Sequence, residues 1–312
     1  MRRGFDVTQY EAAHRKRTIV SSIMIFLIIP ITIIGGSLLI SSDLYMVGSL
    51  LIIIYTMIPF FLVFERRKPK AREIVLIAMM AALTVVLQLF FHVTIPIQAG
   101  TAMVIISGIS LGPEAGFLIG ALARFVCNFY MGQGPWTPWQ MFCWGLLGFL
   151  AGLAFNKVDY DKLKSRNFSV VLGPIVCIVV AALAAYVSYL IWPGSDQTFF
   201  GWRLYVFGGA GLLAGVLVQR KRLPVDGLSM AIFAFFVTFI IYGGIMNICA
   251  MVTSSGLAGG KPISFNTLRI LYISGAPYDA AHAATAAIFV FLFGDAFIKT
   301  LERIKIKYGI YR

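Results

Sequence analysis

The chain is poor in charge and poorer still in acid. Asp, Glu, Lys and Arg make up 12% of its 312 residues, with 13 acidic residues against 26 basic. A soluble domain carries about 25% charged and ~45–50% apolar residues; here 59% are hydrophobic and the mean hydropathy is +0.87. Surface grows too fast relative to volume for a soluble core to hide that much apolar side chain. The composition therefore argues against a soluble enzyme, a nucleic-acid reader or a disordered regulator. Chemistry-bearing motifs are also scarce. No stretch reads G-x-x-x-x-G-K-S/T, so the chain has no phosphate loop for ATP, and H-E-x-x-H, a nucleophile elbow and Cys/His clusters are absent. The three histidines are His14, His92 and His282. Cys127, Cys143, Cys177 and Cys249 fall singly in apolar runs and read as small buried hydrophobes, with no metal site or disulfide framework. So thin an intramembrane polar set suits a binder or carrier better than an enzyme.

What is present is a succession of apolar runs long enough, at about 20 residues, to cross a bilayer. They fall at 18–41, 45–64, 73–91, 97–111, 114–131, 138–156, 168–192, 203–219, 228–253 and 279–301. The runs 97–111 and 203–219 are short and glycine-bearing, so the expectation is about 8–10 transmembrane helices in an all-α polytopic membrane protein. The first run is too long for a signal-peptide core and is expected to be a span. Of the 26 basic residues, 22 fall in 1–17, 65–72, 157–167, 220–227 and the end of the chain from Lys299. That bias predicts both termini on the cytoplasmic side. The excess of positive charge thus reads as orientation next to anionic lipid, with no nucleic-acid partner.

A basic segment, Arg66-Arg-Lys-Pro-Lys-Ala-Arg72, separates an accessory transmembrane hairpin (1–70 with its basic tail) from a main membrane domain at 71–312. Within the latter, 157–220 reads as a possible inserted hairpin. Trp144–Leu153 echoes Phe207–Val216 as two glycine-rich packing faces.

Four stretches carry the remaining information. Gly112-Pro113 is expected to end one helix and start the next, with Glu114 in the first turn where the helix dipole favours an anion. Gly116 and Gly120 give a close-packing face. Arg124 and Asn128, four apart, share a face; an intramembrane arginine must meet an interior partner or a cavity, so Arg124 either ties helices through carbonyls or contacts a ligand. Next, Gly132–Gln140 reads as an outer loop in which Trp136 and Trp139 form either an interfacial belt or a rigid wall over a pocket. Last, Gly275–Ala287 is expected to open the final helix, with Pro277 in its first turn and Asp279 at its N-terminus facing His282 three residues on. Asn247 and Gln88 are read as interhelical hydrogen-bonding groups, Asn247 doubling as a ligand candidate. Ala78 and Ala82 give a small-x-x-x-small face in the first helix after the basic segment.

Together these pieces, spanning about 71–305, resemble the substrate-binding (S) components of energy-coupling factor (ECF) transporters, which take up vitamins across prokaryotic plasma membranes. The matching parts are Ala78-x-x-x-Ala82, the helix carrying Gly112-Pro113, Gly116, Gly120 and Asn128, the aromatic loop, Trp144–Leu153, and Pro277-Tyr-Asp-x-x-His282. The resemblance implies an S-component-like bundle with no cofactor of its own. Ala78 and Ala82 would dock on a transmembrane coupling subunit driven by two ATPase subunits. A substrate pocket near the outer surface would draw on Arg124, Asn128, Trp136, Trp139, Asn247, Asp279 and His282. The cargo implied is a vitamin or its precursor, first of all a corrinoid such as cobalamin. Two other readings stay open: a self-sufficient secondary transporter, which would normally need a mid-span acid, and an integral-membrane enzyme on lipid-like substrates using Asp279 and His282.

Overall fold

Within a bilayer, a long apolar run can satisfy its backbone polar groups only as a helix or in a closed barrel. The computed structural model describes residues 19–39, 71–94, 97–155, 172–193, 201–219, 223–255 and 262–310, and positions 47, 50, 51 and 54. These are helical almost throughout, with no strand among them beyond an isolated bridge between Phe155 and Leu223. In chain order the helices are α1 (Ile29–Leu39, entered through a π-helical turn, Met24–Ile28), α2 (Ala71–Thr94), α3 (Ala99–Leu111), α4 (Pro113–Met131) and α5 (Thr137–Ala154). There follow α6 (Leu172–Ile191), α7 (Trp202–Val218), α8 (Gly227–Phe236), a second π-helical segment (Val237–Gly243), α9 (Gly244–Ser255) and α10 (Phe265–Tyr308). Among the described residues five helical stretches are long and apolar enough to cross a membrane: Ile19–Gly36, Ala71–His92, Gly173–Ile191, Gly227–Ser255 and Phe265–Tyr308. Two shorter apolar helices, Ala99–Leu111 and Trp202–Val218, accompany them. This is an all-α, multi-pass membrane protein. The expected second span, 45–64, lies mostly outside the described residues, as do the basic segments 1–17, 65–70, 157–167 and 220–222.

All 13 residues of α3 are buried. A helix apolar on every side belongs in an interior, and α2, α4, α5 and α10 pack around this one. Its length, about 20 Å at 1.5 Å per residue, falls short of a bilayer core, which matters less for a helix enclosed by others. Gly112, at φ +97°, makes the break before Pro113 that the sequence signalled. The Gly116–Gly120 face packs as expected: a Cβ on Gly116 would lie 2.6 Å from the Gly148 carbonyl oxygen, and one on Gly120 2.5 Å from that of Trp144. Helices α4 and α5 therefore meet backbone to backbone.

The two echoing segments play parallel roles. Trp144–Leu153 lies in α5 and turns glycines on α4; Phe207–Val216 lies in α7, where a Cβ on Gly211 would sit 2.5 Å from the Cys177 carbonyl oxygen of α6. Helices α6 and α7 pack chiefly on each other and touch the rest of the bundle through α8, the second π-helical segment and α10.

The last helix departs from expectation. It runs 44 residues from Phe265, with Pro277 inside it rather than in its first turn. Ser264 caps the true N-terminus, accepting from the Thr267 amide at 3.1 Å, a signal hidden among the polar residues before it. Asp279 is consequently not a capping carboxylate. It lies about 21 Å along the helix from its start, a mid-helix acid where the sequence reading had none. At the other end, Gly309 at φ +61° closes α10, with the Ile310 amide donating to the Lys305 carbonyl at 2.9 Å. There Lys305 Nζ donates to the Ser110 carbonyl at 2.7 Å and to Glu302 at 2.5 Å, and Arg72 Nη1 to the Tyr308 carbonyl at 3.0 Å. These bonds fasten the ends of α2, α3 and α10 together.

Candidate functional site

The predicted site residues separate into three neighbouring groups. The first lies on the α4–α5 seam. Arg124 and Asn128 do share a face, and both donate to one acceptor: Arg124 Nε to Gln140 Oε1 at 3.0 Å and Asn128 Nδ2 to the same oxygen at 2.8 Å. Asn128 Nδ2 also lies 3.1 Å from Thr137 Oγ1, which donates to Gln133 Oε1 at 2.9 Å. The Arg124 guanidinium sits 5.1 Å from the centroid of the Trp144 ring, whose face carries the partial negative charge a cation seeks. Arg124 is 7% exposed, and Asn128 and Trp144 are fully buried. Among the described residues Arg124 thus ties helices through a side-chain amide, not through backbone carbonyls.

The second group joins α3 to α10. His282 Nε2 lies 2.9 Å from Thr101 Oγ1, and its ring packs edge-on against Tyr242 with centroids 4.6 Å apart.

The third group joins α7, α9 and α10 around Asp279. Tyr205 donates its hydroxyl to Asp279 Oδ2, and Asn247 Nδ2 donates to the same oxygen at 2.9 Å and to the Gly243 carbonyl at 2.8 Å. The Gly243 carbonyl belongs to the second π-helical segment, where a widened turn leaves backbone groups in need of partners. Gly243 is required here by close approach: a Cβ on it would lie 2.7 Å from Asp279 Oδ2. Tyr205 stacks between Tyr272 and Phe239, with centroids 4.4 and 5.0 Å away. Beside it an apolar groove of about 290 Å³ is lined by Tyr205, Val206, Ile240, Ile241, Gly244, Ile245 and Tyr272.

Two expectations need correction here. Asp279 and His282 have separate partners and form no acid–base pair. Trp136 and Trp139 do not form one aromatic wall in a loop: α5 begins at Thr137, so Trp139, 5% exposed, is a core residue, and Trp136, 40% exposed, alone remains at the rim. Gln88 bridges within the bundle as read, to Gln98 Oε1 at 3.1 Å and from the Gly100 amide at 3.0 Å. Sequence reasoning missed Gln140, the shared acceptor of the first group, although it ended the noted aromatic stretch. It also missed Tyr205, which sits in a glycine-rich run without any polar pattern.

Ala78 and Ala82 are both exposed on α2. Val75 and Val86, at 64% and 61% exposure, continue the same stripe one turn away on either side. Among the described residues no group of three His, Cys, Asp or Glu side chains could hold a metal ion, and all four cysteines are buried and unpaired.

Residues 68–168 match the model of the family described as ECF-type riboflavin transporter, S component. The matched third of the chain covers α2–α5, and with them the Ala78–Ala82 face and the Arg124–Gln140 group. It ends before Asn247, Asp279 and His282. No solved structure matches the chain. The family match supports an ECF S component, a class of transporter subunit and not of enzyme.

Proposed function

We propose that the chain is the substrate-binding subunit of an ECF-type transporter in a prokaryotic plasma membrane. It would capture a vitamin or vitamin precursor on the outer side and deliver it inward with a coupling subunit and two ATPases. The family match across α2–α5 carries this reading, because one unit of sequence holds both features such a subunit needs. The first is a buried polar group on α4 and α5, fit to hold a solute. The second is a stripe of small exposed residues on α2, fit to let another helix approach closely. Arg124, Asn128, Trp136 and His282 are the proposed cargo contacts. Trp139 instead supports the α5 start from the core, and Asn247 and Asp279 act through the third group. Corrinoids remain the first cargo to test. Riboflavin, which names the matched family, is the direct comparison.

The experiment is purification of the full chain in detergent, followed by thermal-shift and calorimetric titration with cobalamin, cobinamide, riboflavin and a panel of other B vitamins. One ligand binding below micromolar Kd to the isolated chain supports the reading, since native-state binding stabilises by RT ln(1 + [L]/Kd). A folded sample that ignores the whole panel removes it.

The mid-helix position of Asp279 favours a second reading, an ion-coupled carrier, because intramembrane carboxylates mark ion pathways. Uptake by proteoliposomes holding this chain alone, driven by an ion gradient and lost in Asp279→Asn, would establish it in place of the first.

A further inference from the structure

We infer that the cargo of this subunit carries an anionic oxygen group, a carboxylate or a phosphate, and that Arg124 is the residue that receives it. The inference rests on the binding-subunit reading and narrows it. Arg124 is one corner of a square patch: Arg124 and Asn128 are four apart on α4, Gln140 and Trp144 are four apart on α5, and side chains at that spacing are neighbours on a helix face. Gln140 Oε1 occupies one donor of the arginine, Nε, and one donor of the asparagine.

Three polar valences of the patch are left over. Asn128 Oδ1 and Trp144 Nε1 are fully buried and have no hydrogen-bond partner among the described residues. The terminal Nη donors of Arg124 make no hydrogen bond among the described residues. Buried polar atoms are nearly always satisfied, so orphans clustered in one patch call for a partner.

Charge identifies that partner. A guanidinium within a membrane bundle needs compensation, yet no described carboxylate pairs with Arg124. Glu114, the only acid on α4, is ten residues back, about 15 Å along the helix. Glu302 is held by Lys305, and Asp279 takes its donors from Tyr205 and Asn247. The Trp144 ring face offers only a quadrupole. Carboxylate and phosphate both match the arginine fork. The Trp144 N–H adds a donor for such oxygens, and Asn128 Oδ1 asks for a hydroxyl or amide N–H on the same ligand. A ligand bearing an anionic group next to a hydrogen-bond donor satisfies all three.

Matched pairs differing by one anionic group test this on the purified full chain: cobinamide against cobinamide phosphate, riboflavin against flavin mononucleotide, and pantothenol against pantothenate. The anionic member of at least one pair is expected to bind tenfold or more tighter than its neutral counterpart. The phosphate and carboxylate pairs separate the two sources. In Arg124→Gln the preference should fall to near unity, and Arg124→Lys should keep part of it. Equal or tighter binding of the neutral member by the unaltered protein overturns the inference and leaves the binding-subunit reading standing, even where Arg124→Gln does not fold. A preference that survives in folded Arg124→Gln also overturns it. A folded protein that binds neither member of any pair overturns the inference, and one that also ignores the rest of the vitamin panel overturns the binding-subunit reading as well.

Discussion

Tyr205 of α7 donates its hydroxyl to Asp279, about a third of the way along α10, across 74 positions of sequence. Asn247 supplies the second bond to the same carboxylate oxygen at 2.9 Å. Because α6 and α7 pack mainly on each other, this bond is a polar tie between that helix pair and the bundle. Removing the hydroxyl leaves a buried carboxylate oxygen short of a donor, a loss of about 1–3 kcal/mol for a buried group. Tyr205→Phe is therefore expected to lower the detergent unfolding midpoint, and Asn247→Ala to do the same. Since both act on one oxygen, the double variant should depart from additivity by more than about 0.5 kcal/mol. A strictly additive cycle in thermal unfolding would show that the two donors do not share the carboxylate.

The glycines of the bundle divide into those that hold two backbones together and those that do not. A Cβ on Gly148 would sit 2.4 Å from the Gly116 carbonyl oxygen, and nothing lies within 4 Å of one on Gly209. Backbone cannot retreat as a flexible side chain can, so Gly148→Ala should cost roughly the 1–3 kcal/mol of an overpacked core. Gly209→Ala, in an open position of α7, should be neutral or stabilising by up to about 1 kcal/mol through helix propensity. Unfolding midpoints of the two single variants decide the matter, and a larger loss at Gly209 would contradict the packing described.

How far these features could be read in advance depended on whether their cause was local. The Gly112–Pro113 break, the Gly116–Gly120 face and the shared face of Arg124 and Asn128 follow from spacing on a single helix, so the chain displays them directly. The start of α10 is hidden because Pro277 resembles a first-turn proline. A helix inside a bundle can tolerate that residue where neighbouring groups take up the freed carbonyl, and nothing local marks the difference. The partners of Asp279 were invisible for a different reason. Tyr205, Asn247 and Asp279 lie on three separate helices, and only tertiary packing brings them to one oxygen. Trp136 and Trp139, three apart on either side of a helix start, show the same limit: the Thr137–Pro138 entry to α5 sends one to the rim and the other into the core.

That division of the two tryptophans gives opposite expectations. Trp139 is a core side chain, and truncation to alanine should cost about 3–5 kcal/mol, as for other buried large residues. Trp136 lies at the rim, its ring resting on Gly134 and its Nε1 donating a 3.4 Å bond to the Gly132 carbonyl. Its truncation should move stability by no more than the ~0.5 kcal/mol of an ordinary surface change. Loss of ligand binding in Trp136→Ala with an unchanged unfolding midpoint would then report contact with the cargo. Equal destabilisation by the two truncations would contradict their placement.

Ala78 and Ala82 test the coupling half of the proposed function separately from the binding half. Both are exposed on α2, flanked along the helix by exposed Val75 and Val86, and neither belongs to the buried groups around Arg124, His282 or Asp279. A tryptophan at either site points away from the core, so Ala78→Trp and Ala82→Trp should leave the unfolding midpoint within about 0.5 kcal/mol of the parent. The same bulk would hold a partner helix away from a face whose use depends on close backbone approach. The expected result is full ligand binding by the isolated variants and loss of ligand uptake in cells that supply the coupling subunit and its ATPases. Uptake at the parental rate in both variants would remove this face from the interface. Loss of binding together with uptake, in protein that still unfolds at the parental temperature, would place the alanines within reach of the cargo.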